Sequence, residues 1–359
     1  MKSFNLLLLL ISLPAFSQML HGDIDSIPYH AIELPLEKGT DFFRADDIII
    51  EQLRSNQVSL QLFIKKNNSL TPINIMEFNL KSARTITQIH SDGRLTKIDK
   101  CELTPNSKFK VSFELKNQYF QIAGKKTYEL LFNLNCGEKT ELIFDYDSIG
   151  GQVMAITDIA TIAKNKLEKD KLLNFWKKRI LFKWPARGDY YSYNIVNVTK
   201  GYRWDVVGHE LGHAIYDQAN IGTFGGGQHF IDQCYSKALA LSEGWASLFS
   251  AWIKVSLNDP DAKFEYMVKR RAPLKFETIP SDVCASQKNE WRVTGFLWDL
   301  IDFNVDLVDQ SDMNFIKFWK YSENKKFKST KQLAQSFLNQ GFDPILMNII
   351  WKQNFLTDL

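Results

Sequence analysis

Two histidines four residues apart with a glutamate between them, His209-Glu210-Leu211-Gly212-His213, form the string with the clearest chemical meaning in the 359-residue sequence. The surrounding residues predict a helix from about Arg203. On a helix, positions four apart lie on one face, so both imidazoles can reach one divalent ion while Glu210 points beside it. A catalytic zinc site needs three protein donors and keeps one position for water. The third candidate is Glu243, thirty residues after His213 in Leu241-Ser242-Glu243-Gly244-Trp245-Ala246. There an acid interrupts an apolar helical stretch and is costly to bury without a partner. Expected roles follow: His209, His213 and Glu243 hold zinc, and Glu210 is the general base. A closed structural zinc site in a secreted binding protein is the competing reading; it requires a fourth protein ligand, for which His229 is the nearest spare donor.

Other positions carry weaker expectations. Gly208 and Gly212 leave a bare strip on the helix, whose propensity cost of about 1 kcal/mol each is offset if a neighbouring helix or strand packs closely there. A developing oxyanion would need a further donor, and His229, Tyr193, Tyr202 and Arg292 are the candidates. Residues 222–227 are glycine-rich and suggest a mobile rim without resembling a phosphate loop.

The motifs resemble those of the gluzincin metallopeptidases, whose best-known member is thermolysin. The resemblance covers roughly residues 150–359 and is nearest to secreted bacterial members with a Ser-Glu-Gly-Trp-Ala segment, here Ser242–Ala246, and a Leu-Trp-Asp-Leu segment, here Leu297–Leu300. It implies a zincin-like domain, Zn2+, and a peptide or protein substrate. Metzincins are excluded, because Tyr216 and Ala219 stand where they require glycine and a third histidine. No Gly-x-Met-Glu-Asn string of aminopeptidase type is present, which favours an endopeptidase. Against the thermolysin pattern, Ser247 occupies the place of the aspartate that orients the first zinc histidine, so Asp299 or Asp302 is expected to take that role.

The elements that would position these residues are mixed. Short period-two runs at Val58–Ile64, Ile73–Phe78, Phe109–Leu115, Tyr128–Leu134 and Leu142–Tyr146 predict an antiparallel β-sandwich, similar to transthyretin-like modules, with a tight turn at Ser91-Asp92-Gly93-Arg94. After Gly150-Gly151 the spacing becomes helical over Val153–Trp176. Strands are then expected at Ile180–Trp184 and Ser192–Val198, and later helices at Ser236–Ser256, Asn289–Ile301, Asn314–Ser322, Thr330–Asn339 and Pro344–Asn354. The fold class is therefore α+β: residues 18–148 a β-sandwich domain and residues 149–359 a mainly helical metallopeptidase domain.

Lys2 followed by the apolar run Leu6–Leu13 and by Ala15-Phe16-Ser17 reads as a signal peptide over residues 1–17, cleaved after Ser17 into a secreted or periplasmic compartment. No later run is long enough to span a bilayer, so stable membrane insertion is not expected. Four cysteines in an exported chain predict two disulfides, with Cys101–Cys136 and Cys234–Cys284 favoured. The 44 basic and 41 acidic residues leave a net charge of +3, too balanced for a nucleic-acid footprint. The lysine-rich stretch Lys164–Arg179 reads as a solvated helix face.

Overall fold

Period-two patterning in the first part of the chain becomes strands, and 3.6-residue patterning in the rest becomes helices. The computed structural model describes residues 42–54, 58–73, 87–89, 95–98, 108–225, 227–304, 311 and 313–359. The expected signal peptide, the Ser91–Arg94 turn, Cys101 and all of the Ile73–Phe78 run except Ile73 lie outside them.

Ten strands come first among the described residues: β1 (Phe42–Phe43), β2 (Asp47–Gln52), β3 (Val58–Lys66), β4 (Ser69–Pro72), β5 (Thr87–Ile89), β6 (Leu95–Ile98), β7 (Lys108–Glu114), β8 (Phe120–Ala123), β9 (Glu129–Asn135) and β10 (Glu138–Asp145). One sheet has the order β1-β9-β7; a second has the order β2-β10-β3-β6-β5, with β4 on β3. Alternate residues point inward, as in Leu130, Phe132 and Leu134 of β9 and Val111 and Phe113 of β7. The antiparallel pairing expected from the sequence does not hold throughout: β10 runs parallel to β3 from Glu138↔Val58 to Asp145↔Lys65, and antiparallel to β2. Alternation reports which face of a strand is buried. It carries no information on the direction of a neighbour that arrives through a long connection.

A third sheet, in the order β12-β13-β11-β8, joins β8 to β11 (Ile180–Lys183), β12 (Tyr190–Ser192) and β13 (Ile195–Asn197). Strand pairing therefore crosses residue 148. The single strand expected over Ser192–Val198 is instead half of a tight hairpin, turning through Tyr193 and Asn194 at φ 47° and 63°. Two consecutive left-handed residues make the turn that matches strand twist. No glycine marks it, so the sequence reads as continuous.

Seven helices lie among the described residues. The first, α1 (Ile149–Lys169), is capped by Ser148 and ends seven residues before the expected Trp176. The chain reverses at Lys171, φ 59°, and makes a 3-10 turn over Leu173–Phe175. Leu172, Phe175 and Trp176 are buried all the same, so apolar spacing outlasts the helix. Next come α2 (Trp204–Gln218), α3 (Lys237–Lys254), the short strands β14 (Lys263–Phe264) and β15 (Leu274–Lys275), α4 (Glu290–Asp299), α5 (Phe315–Ser322), α6 (Thr330–Asn339) and α7 (Pro344–Phe355). Ser236, Asn289, Asn314, Ser329 and Asp343 each accept a backbone N–H as N-caps, which is why these starts were readable. A continuous apolar core runs from Phe43 to Phe355 and buries Trp245, Trp298, Trp319 and Trp351. No described helix is long and apolar enough to cross a membrane. Cys234 and Cys284 form a disulfide; Cys136 is also disulfide-bonded.

Candidate metal centre

Helices α2 and α3 run antiparallel in close contact, and the reason lies in their small residues. A methyl group on Gly212 would stand 2.7 Å from the Ala246 carbonyl oxygen and 2.8 Å from its Cα, and one on Gly208 would overlap Ser250 Oγ. The glycine strip is thus where the neighbouring helix approaches, as the sequence led us to expect. Ser250 Oγ donates to the Asp205 carbonyl at 2.8 Å, fixing the register near the start of α2. The Asp205 carboxylate accepts from Tyr266 N at 2.6 Å and Met267 N at 3.1 Å, pinning that end to the following loop.

This register brings the expected ligands together. Glu243 Oε2 lies 3.1 Å from His209 Nε2 and 3.0 Å from His213 Nε2, and all three side chains are buried. Donors around one ion at 2.0–2.2 Å stand roughly 3–3.6 Å from each other, so the trio has the spacing of a ligand set. Two imidazoles and a carboxylate are also a donor set suited to zinc. His209 Nδ1 is 3.0 Å from Ser247 Oγ; with Nε2 kept for a ligand, Nδ1–H donates to that hydroxyl. The orienting role expected of Asp299 or Asp302 thus falls to Ser247, one turn after Glu243 on the same face. The Asp299 carboxylate accepts from Asn354 Nδ2 at 2.6 Å. Burial would raise the Glu243 pKa, but His213, His229 and the contacts from His209 and His213 outweigh it and hold the carboxyl well below its usual range.

Glu210 is fully buried on α2 beside His209. Its charge also reaches Asp189, whose carboxyl is pushed up to about 6, chiefly by burial and against hydrogen bonds from the Thr199 N–H and hydroxyl.

The candidate oxyanion donors separate clearly. Arg292 is buried and donates to the carbonyls of Cys284, Val283 and Asn354 at 2.9, 3.0 and 2.7 Å, a role in holding the fold. Tyr193 is 73% exposed on the β12–β13 turn. Tyr202 packs edge-on against Tyr146 and Tyr266. Only His229 is placed against the trio, its Nε2 3.8 Å from Glu243 Oε2 and 3.1 Å from Glu290 Oε2. Burial opposes a charge on that ring, yet Glu290 and Glu243 raise its pKa to about 10.

Glu290 was not legible in the sequence. An acid in the first turn of a helix, directly after an asparagine cap, is what the helix dipole favours anywhere. In the glycine-rich segment, a methyl on Gly222 would lie 2.7 Å from the Phe327 carbonyl oxygen and one on Gly225 would overlap the Leu239 backbone, so both glycines serve close packing. Gly226 lies outside the described residues. Comparison of the chain with protein-family models and with curated proteins finds no match.

Proposed function

We propose that the chain is an exported zinc-dependent metallopeptidase in which His209, His213 and Glu243 bind the metal and Glu210 is the general base. The convergence of two imidazoles from α2 and one carboxylate from α3, at 3.0–3.1 Å in a buried setting, carries this reading. Zinc held there would act as a Lewis acid and lower the pKa of water from 15.7 toward about 7. Glu210, rigid on the same helix and one residue from His209, is set to take the water's proton and pass it to the leaving amine. Ser247 Oγ, 3.0 Å from His209 Nδ1, can accept its N–H and so leave the Nε2 lone pair for the metal. The alternative of a closed structural site is less favoured, because His229 converges with Glu243 and Glu290 rather than with the two helix histidines.

In this reading α1 to α7 form a zincin-like catalytic domain and the preceding strands a transthyretin-like module. The Cys234–Cys284 disulfide supports an oxidising compartment. The substrate is a peptide or protein cut internally. The test is hydrolysis of casein or a peptide library that a chelator abolishes and zinc restores. Glu210→Gln should bind zinc normally and lose at least a thousandfold in kcat. Substantial turnover by that variant would refute the assignment.

A further inference from the structure

Besides the trio just described, a second convergent set of buried donors exists: His229 Nε2, Glu290 Oε2 and the Glu243 carboxylate, all within 4.8 Å of each other. Three independent ties bring the first two together. Asn289, the cap of α4, donates through Nδ2 to the carbonyls of Ile231 at 2.7 Å and Gln233 at 2.9 Å. Tyr235 N donates to the Lys288 carbonyl at 2.9 Å, and the Cys234–Cys284 disulfide joins the same two segments covalently. On the other side, Gly244 lets α4 approach α3 so closely that a methyl there would meet Val293 Cβ at 2.6 Å. Glu290 is thereby carried up to Glu243. The loop bearing His229 is thus fixed to the start of the helix bearing Glu290.

The orientation of His229 is equally specific. Its Nδ1 lies 3.1 Å from the Gly227 carbonyl, which can only accept, so Nδ1 carries a proton, and Nε2, which faces the two carboxylates, gives up its own proton when a cation binds. An anchored Nδ1–H behind a presented Nε2 is the arrangement that tunes metal-binding imidazoles, and His209 shows it with Ser247. The separations of 3.1 Å to Glu290 and 3.8 Å to Glu243 bracket the ligand-to-ligand spacing around a divalent ion.

We propose that His229 and Glu290 bind a second divalent cation, with the Glu243 carboxylate shared between it and the ion of His209 and His213. The inference rests on the metal assignment above and extends it to a two-ion centre. Such pairs clamp both the attacking and the leaving oxygen in hydrolysis, which would give the oxyanion its second positive partner without any of the donors considered from sequence.

Metal content decides it. Chelator-stripped protein is titrated with zinc alone and bound metal is counted after gel filtration. Wild type should bind two equivalents, whereas His229→Ala and Glu290→Gln should each bind one while remaining folded before zinc is added, read by circular dichroism. Glu243→Ala should lose tight binding at both sites. One equivalent in wild type, unchanged by Glu290→Gln but removed by His213→Ala, would overturn the second site and leave the first intact. No bound zinc in any form would overturn both.

Discussion

Gly212→Ala is the substitution that most directly tests how the fold holds the proposed metal centre. In an isolated helix the change should stabilise by about 1 kcal/mol, since glycine is the poorer helix former. Here the added methyl would stand 2.7 Å from the Ala246 carbonyl oxygen, 2.8 Å from its Cα and 3.1 Å from its carbonyl carbon. All three are backbone atoms of α3 and no rotamer change moves them. Restoring ordinary contact requires α2 and α3 to separate by several tenths of an ångström, and overpacking of this kind costs about 1–3 kcal/mol. Set against the propensity gain, the net effect is a loss of about 0–2 kcal/mol in metal-free protein, read from urea unfolding at constant m. The same separation pulls His209 and His213 away from Glu243, so zinc affinity should fall about tenfold to a hundredfold, read by competition with a chromophoric chelator. A variant as stable as wild type or more so, with unchanged zinc affinity, would refute the claim that helix contact at Gly212 sets the ligand spacing.

Two further outcomes follow from the site. Ser247→Ala removes the acceptor of His209 Nδ1–H; zinc binding should weaken about tenfold or more while metal-free stability changes by less than about 1.5 kcal/mol, and Ser247→Asp should recover affinity. Asp189 has a folded-state pKa of about 6 against an ordinary 3.8, raised chiefly by burial. Between those values the folded state binds more protons than the unfolded one, so stability falls as pH rises through this window. The cost is absent below pH 3.8 and complete above 6, about 3 kcal/mol in all. The unfolding free energy of metal-free Asp189→Asn relative to wild type should therefore rise by about that amount from pH 4 to 7; a difference independent of pH would refute the assignment.

What the sequence made legible is what a single helix determines. Spacing alone puts His209 and His213 on one face, and an acid inside an apolar helix marks Glu243 because burial demands a partner. The bare strip at Gly208 and Gly212 likewise announces close contact, although not the residues that fill it. Relations between elements were not legible. Ser242, Ser247 and Ser250 lie on one helix with the same chemistry, yet Ser242 bonds back to the Leu239 carbonyl, Ser250 to Asp205 on α2, and Ser247 to His209. Only the register of α3 against α2 separates these fates. Arg292 suggested an anion donor by its type, and proved to be committed to three carbonyls of the chain. Strand direction escaped for the same reason, because β3 and β10 meet through a long connection that local pattern does not encode.

The proposed centre joins pieces of very different sequence separation. Four residues of one helix supply two donors, the adjacent helix supplies the third, and the contact between them has no freedom because glycine, alanine and serine leave no side chain to repack. His229 comes from a loop, ordinarily the least constrained kind of segment, and here the disulfide, the Asn289 cap and the Tyr235–Lys288 hydrogen bond replace the constraint that a helix would give. Such bracing is more than a packing histidine requires. Together with the buried acids on both sides of the ring, it is the arrangement expected where a loop residue must hold position against a doubly charged ion.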